Sequence, residues 1–312
     1  MPVVPSAKLG GMAANNSPRI LITGASGPIG TALIPSLTAT GAQVTRLVRH
    51  HPSGEGQMQW DPDQPLEPES VSGFDAVIHL AGETIMGRWT ERKKDKIRNS
   101  RVRGTQNLAQ ALARTSQKPR VLVAGSAIGF YGDRGDEILR EDSRSGSGFL
   151  PKVCREWEMA SQAAADAGIR TAHIRTGVVL SRKGGALGQM LPPFKLGLGG
   201  RIGSGRQWLS WIHIDDMVGA VHHILKTDSL QGPVNMVAPR PVTNADFTRV
   251  LASVLSRPAI FPVPAFALRL AFGQMADEVL LASERVEPAK LGASGYEFQY
   301  SDLRPALIAL LH

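Results

Sequence analysis

The stretch Arg19-Ile20-Leu21-Ile22-Thr23-Gly24-Ala25-Ser26-Gly27-Pro28-Ile29-Gly30 decides the fold. Its first five residues are short, β-branched and followed by glycines, the pattern of a buried strand. A helix then runs over 29–39 and stops at Gly41, which suits a C-terminal cap. A glycine-rich turn between a strand and a helix is the setting in which a phosphate-binding loop has meaning. Gly24 supplies the tight turn. Gly27 lets backbone approach a pyrophosphate without a Cβ clash, and Gly30 lets the helix pack close to the strand. The helix start then offers free N–H groups and partial positive charge to phosphate. The spacing is G-x-x-G-x-x-G, not G-x-G-x-x-G. Pro35 falls inside the helix pattern and is expected to kink it or shift its boundary.

Outward from this loop, strands alternate with helices. Residues 43–48, 75–80, 120–124 and 170–174 read as strands, and 91–114 and 149–167 as helices. That alternation predicts βαβ units with right-handed crossovers and a parallel sheet. After about Val179 the rhythm changes. Residues 181–206 are rich in Gly, Pro and Leu. Residues 211–214 read as a strand, and Asp215 or Asp216 as the cap of a helix reaching about Lys226. Val234 opens another short strand. Thr243-Asn244-Ala245-Asp246 resembles a capping box that opens a helix to about Leu255. The expectation is an α/β protein: a Rossmann-like, doubly wound parallel sheet over 19–180, to which 207–237 return. A smaller, mostly helical C-terminal substrate domain would comprise 181–206 and 238–312. Met1 to Pro18 reads as a loose leader without a secretion signal.

The end of the second strand bears on the ligand. NAD binders carry a ribose-reading Asp or Glu about 20 residues beyond the loop. This chain reads Arg46-Leu47-Val48-Arg49-His50 there, with no acidic residue from Thr31 to Gly54. A carboxylate would repel a 2′-phosphate, whereas an arginine binds it by charge-assisted hydrogen bonds. The reading is therefore NADP(H), with Arg49 as the first partner and Arg46 as the second.

Composition narrows the classes. The chain has 312 residues, 42% hydrophobic and 20% charged, which argues against disorder. No apolar run reaches the length of a membrane span. A single cysteine, Cys154, rules out an internal disulfide and a cysteine zinc site, and it fits a reducing, cytoplasmic compartment. The formal net charge is +8, but only 5% of residues are aromatic and no basic run is interleaved with them. A small anionic ligand is the better use of the surplus charge than nucleic acid.

The loop, together with His79-Leu80-Ala81-Gly82, Gly104-Thr105, residues 125–132 (GSAIGFYG) and residues 211–216 (WIHIDD), resembles the extended short-chain dehydrogenase/reductases. Residues 191–200 (LPPFKLGLGG), Gly203-Ser204-Gly205-Arg206-Gln207 and Asn235-Met236-Val237 are similar to a subgroup called epimerase family proteins, akin to bacterial nucleoside-diphosphate-sugar epimerases. Pro262-Val263-Pro264 and Ser283-Glu284-Arg285-Val286 resemble that subgroup's C-terminal extension. The resemblance implies that Thr23, Gly24, Ser26, Gly27, Pro28, Ile29 and Gly30 hold a pyrophosphate. It places Leu80, Ala81 and Gly82 along the adenine-ribose side. It makes Ser126 the catalytic hydroxyl, and sets Thr176, Gly177 and Val178 beside the nicotinamide. Arg101 stands where the family has an Asn, within reach of cofactor or substrate. Glu83 and Arg206 are candidate substrate contacts.

The departure from the family lies in its acid. There a Tyr precedes a Lys by four residues, and the ammonium favours the phenolate. Aligned through Trp157-Glu158, this chain places Leu150 at the Tyr position and Cys154 at the Lys position. Lys152 is two residues off and would face another side of a helix. Tyr131 is the nearest phenol, although it matches a structural Tyr-Gly. Ser126, Tyr131 and Lys152 are thus the catalytic candidates, in a site whose usual proton relay is missing or rebuilt. Cys154, His79 and His213 read first as packed side chains, and His222-His223 is not a metal site.

Two functions remain. One is an NADP(H)-dependent oxidoreductase or epimerase-like enzyme acting on a nucleotide sugar or small carbonyl. The other is a non-catalytic NADPH-binding redox sensor or regulatory module. Both take a small-molecule ligand and neither needs nucleic acid or membrane. The oligomeric state, monomer or homodimer, stays open.

Overall fold

The computed structural model describes residues 17–312, so the leader expected over 1–18 falls almost wholly outside the described residues. The chain runs β1 (Arg19–Thr23), α1 (Pro28–Ala39), β2 (Gln43–Val48), β3 (Gln57–Gln59), β4 (Ala76–His79), α2 (Glu91–Arg114), β5 (Val121–Ala127), β6 (Ile138–Leu139), α3 (Phe149–Met159), α4 (Gln162–Asp166), β7 (Arg170–Thr176), β8 (Val178–Leu180), α5 (Gly185–Lys195), β9 (Trp208–Leu209), β10 (Trp211–His213), α6 (Ile214–Lys226), β11 (Gly232–Met236), β12 (Val242–Thr243), α7 (Asn244–Leu255), α8 (Ala265–Phe272), β13 (Arg285–Val286), α9 (Ala289–Ala293) and α10 (Leu303–Leu311).

Seven strands form one parallel sheet in the order β11-β7-β5-β4-β1-β2-β3. The chain winds from β1 through β2 to β3, then crosses back to β4 on the other side of β1. A crevice therefore opens between the C-terminal ends of β1 and β4, the switch point at which doubly wound sheets bind ligands. Both faces of the sheet are covered. Ile20, Ile22, Ile78 and Ile174 pack toward α1 and α6, while Leu21, Val77 and Leu122 pack toward α2. Their near-continuous burial explains why these strands read as unbroken apolar runs rather than alternations.

Local chemistry accounts for the differences from the sequence reading. α1 passes through Pro35 without ending, because Leu33 and Leu37 on either side are buried against the sheet. Gly41 takes φ +86° after it, as a C-terminal glycine should. The helix expected over 149–167 breaks into α3 and α4. Ser161 Oγ donates back to Glu158 O at 2.8 Å and pairs with His173, competing with the helical ladder. α6 is capped by the ring of His213, which accepts from Asp215 N at 3.1 Å, not by Asp215 or Asp216. Asp216 is buried instead and accepts from the backbone of Gln299 and Tyr300, tying the C-terminal tail to α6. The capping box at Thr243 is present, with Thr243 Oγ1 accepting from Asp246 N at 3.1 Å.

Three small ladders attach the later chain to the C-terminal end of the sheet: β8 with β10, β9 with β12, and β6 with β13. The last is the informative one, because it brings the segment around Glu284 up against the loop that follows β5. Glu278, just before that segment, accepts from Phe149 N and Leu150 N at 3.0 and 2.7 Å. A carboxylate from the C-terminal extension thus caps α3.

Candidate functional site

The site is a groove of about 520 Å³ at the switch point, walled by the β1–α1 loop, the end of β2 and the segment after β4. Gly24 adopts φ +70°, and a Cβ there would sit 2.6 Å from the Leu80 carbonyl carbon, so only glycine closes this turn. A Cβ on Gly30 would meet Gly24 O at 2.5 Å, which seats the first turn of α1 on the loop itself. On Gly27 a Cβ would touch only Gly24 O, at 3.3 Å, leaving the other side open toward the groove. Gly27 caps α1 without a side-chain hydrogen bond, and Pro28 fills the first helical position. The result is an uncapped helix N-terminus facing a cradle that a side chain would fill, the arrangement that binds phosphate.

Thr23 fixes the neighbouring wall. Its Oγ1 accepts from Leu80 N and Ala81 N, both at 3.1 Å, so its own proton goes to His79 Nδ1 at 2.7 Å. His79 then carries its hydrogen on Nε2, which donates to Thr105 Oγ1 at 2.9 Å. Trp157 Nε1 donates to the same hydroxyl. Burial lowers His79 to about 4, so the ring is neutral and structural. Arg46 and Arg49 line the far end of the groove beside His50 and Gln57. Glu83 also borders it, but accepts from Lys93 Nζ at 2.7 Å, a bond that holds its carboxyl below the usual range. Arg101 lies behind this wall. Its Nη1 donates to Glu83 O and Ile97 O, and its guanidinium lies 5.0 Å from the Trp157 ring.

The other end lies where β5 and β7 finish side by side, with Ser126 opposite Arg175 and Ala127 opposite Thr176. Ser126 Oγ donates to Glu158 Oε1 at 2.7 Å. Glu158 in turn takes a two-pronged contact from Arg175, at 2.8 and 2.9 Å. Burial alone would lower the Arg175 guanidinium, but the Glu158 pair outweighs it and raises it. Arg175 also stacks on Phe130, 3.5 Å from the ring centre, and donates to the Tyr131 hydroxyl. Gly177 approaches Ser210 O so closely that a Cβ would come within 2.6 Å of it, so this glycine serves the β8–β10 ladder.

The profile of the NAD dependent epimerase/dehydratase family matches residues 20–237. The chain belongs to that family. A domain of unknown function, DUF1731, matches residues 263–310, the extension that carries Glu278 and Glu284. An epimerase family protein of Mycobacterium tuberculosis is 39% identical over 290 residues, covering 92% of this chain and 96% of its own. The human epimerase family protein SDR39U1 is 38% identical over 293 residues, covering 93% and 98%. The crystal structure of human SDR39U1 (isoform 2) with NADPH matches with a TM-score of 0.86 at 36% identity, over 94% of this chain and 98% of that one. A nucleoside-diphosphate sugar epimerase from Corynebacterium glutamicum matches with a TM-score of 0.79 at 40% identity, over 95% of this chain and 58% of that one.

Within this member of the epimerase/dehydratase family, the structure gathers Gly24, Ser26, Gly27, Arg46, Arg49, Leu80, Ala81, Gly82 and Glu83 along one groove. Pro28, Ile29 and Gly30 form the start of α1 beside it, and Thr23 supports it from below. Thr176, Gly177 and Val178 lie past the groove, next to Ser126. Three candidates lie outside this groove. Tyr131 is fully buried and its hydroxyl donates to Asn235 Oδ1 at 2.7 Å, so it is a structural phenol with no open face. Lys152 is exposed between buried Pro151 and Val153, on the solvent side of α3. Arg206 is exposed in the turn before β9 and does not line the groove. Leu150 packs its side chain against Gly129, and Cys154 is buried, its thiol pushed up to about 12 by burial and then by Glu158. Sequence reasoning missed Glu158, Arg175 and Glu284. The available signal was Arg175 itself, a charge directly after the apolar Ile174 near the end of β7.

Proposed function

We propose that this protein is an NADP(H)-dependent oxidoreductase or epimerase-like enzyme that acts on a small carbonyl compound or the sugar of a nucleotide sugar. The observation that carries the reading is the pairing, in one groove, of an uncapped helix N-terminus with two arginines at the end of β2, where the groove's one carboxylate, Glu83, is held by Lys93. The helix start and the Gly24–Gly27 loop would hold the pyrophosphate, and Arg49, with Arg46 beside it, the 2′-phosphate. Human SDR39U1, crystallised with NADPH, supports this choice of coenzyme. When bound, the coenzyme supplies hydride transfer. The chain itself supplies orientation, a dry floor and charge at the ends of β5 and β7.

A non-catalytic reading, NADPH binding that reports redox state, is favoured by one feature of the sequence: aligned through Trp157-Glu158, Leu150 and Cys154 fall at the places of the family's acid and ammonium. Turnover separates the two. Purified protein with NADPH is offered α-diketones, aldehydes and nucleotide sugars while coenzyme absorbance is followed. Consumption of NADPH or conversion of a sugar supports the enzyme. NADPH binding with neither change supports the sensor.

A further inference from the structure

At the reaction end the proton source is missing. Ser126 has one hydroxyl hydrogen, and it is given to Glu158, which also accepts from Arg175. Leu150 has none to give. Tyr131 spends its hydrogen on Asn235, and Lys152 points to solvent. Cys154 is buried beneath the Ala127 backbone.

Glu284 differs from all of these. It comes from the C-terminal extension, immediately before β13, and its backbone is fixed on both sides. Its N–H donates to Trp208 O at 3.2 Å, and its carbonyl accepts from Ser210 Oγ at 2.7 Å. Ser210 is the residue whose carbonyl Gly177 approaches, so Glu284 is anchored to the strand edge beside Thr176-Gly177-Val178. Its carboxyl oxygen Oε1 is closed off from solvent and has no hydrogen-bond partner, whereas the residue as a whole keeps partial exposure. Its charge reaches Cys154, the family's Lys position. Among the described residues, no cation pairs with it. Arg285 next door stacks on Trp208, 4.5 Å from the ring centre. The groups that face it are acidic or neutral: Asp133 from the loop before β6 and Cys154 from α3. An unpartnered carboxyl in such a place is stable only as the neutral acid.

We infer that Glu284 exchanges the proton with the substrate oxygen, the task given in the family to the Tyr whose place Leu150 occupies here. The inference rests on the oxidoreductase reading above. In the reducing direction the substrate carbonyl carbon accepts hydride from the reduced coenzyme. The C=O π pair moves onto oxygen, and that oxygen takes the hydrogen from the Glu284 O–H. The carboxylate left behind is reprotonated from water. Burial and then Asp133 push the Glu284 carboxyl up to about 8, which keeps an acid in hand at neutral pH and near the value at which proton transfer is most effective.

The test compares the full-length wild type with Glu284→Gln, an isosteric change that cannot give up a proton. Infrared difference spectra of coenzyme-free protein are recorded across pH. The wild type should show a protonated-carboxyl C=O band lost with a midpoint of about 8, and Glu284→Gln should lack it. With NADPH and a panel of α-diketones and aldehydes, Glu284→Gln should bind NADPH as the wild type does and lower kcat by about 100-fold or more. Glu284→Asp should recover part of the loss. A band that persists in Glu284→Gln, or equal kcat in the two proteins, overturns the inference and leaves the oxidoreductase reading intact. A wild type that binds NADPH and reduces nothing overturns both.

Discussion

At the phosphate end of the groove, Gly24, Gly27 and Gly30 make a shape out of backbone. At the ends of β5 and β7, Ser126, Glu158 and Arg175 make a buried hydrogen-bonded polar cluster, and Glu284 adds a buried, unpartnered carboxyl oxygen from the C-terminal extension. The first depends on positions within a seven-residue span of one loop. The second depends on groups from 126 to 284, which only the finished fold brings together. The first is closed by glycines alone, while beside the second Leu150 packs on Gly129 and Cys154 is buried. Geometry set by backbone tolerates little change. An electrostatic task can be handed to another residue, provided that the new residue is equally well shielded.

The sharpest way to break this contrast is at its most buried charge. Glu158→Ala leaves the Arg175 guanidinium, only 4% exposed as a side chain, without its carboxylate. Removing one partner of such a pair costs about 3–5 kcal/mol, and denaturant unfolding should show a loss of that size with the phosphate end unchanged in kind. A loss under about 1 kcal/mol would mean that the pair is a surface contact in disguise.

At the phosphate end the expected effect falls on binding. Gly24→Ala forces a side chain into φ +70° and against Leu80. Strain of about 1–3 kcal/mol should weaken NADPH binding by about 10–100-fold in a calorimetric titration. Unchanged affinity would show that the loop can reshape, contrary to the account of a backbone-made cradle.

A further way to sharpen it is a pair of opposite pH slopes. Glu284 is raised to about 8 from an ordinary 4.5, so between those values the folded protein holds a proton that the unfolded chain lacks. Stability should fall as pH rises through that window, and Glu284→Gln should flatten the fall. His79 is lowered to about 4 from 6.5, so stability should also drop as pH falls through that range, and this limb should survive in Glu284→Gln. Thermal melting of both proteins across pH checks the two limbs together.

How far the sequence was legible follows from the same contrast. The β1–α1 loop was readable because its glycines, strand and helix are contiguous. The bounds of α2 and the capping box at Thr243 were readable because their signals are local. The break between α3 and α4 was not, since Ser161 acts through a back-bond and a contact with His173 on another element. Likewise, His213 capping α6 depends on a ring oriented by the fold. Tyr131 was the nearest phenol and a catalytic candidate, although it matched a structural Tyr-Gly, and its burial did not show in sequence because its partners Asn235 and Arg175 are 104 and 44 residues away. Glu278 and Glu284 lay in the extension, whose role shows only once β13 pairs with β6.

The central claim is that this groove selects the phosphorylated coenzyme through arginine at the end of β2. Side-by-side calorimetric titration of wild type and Arg49→Ala with NADPH and NADH tests it most directly. The account predicts tighter NADPH than NADH binding by the wild type, with Arg49→Ala losing about tenfold for NADPH and little for NADH. NADH bound as tightly as NADPH by the wild type, or an Arg49→Ala protein with undiminished preference, would contradict it.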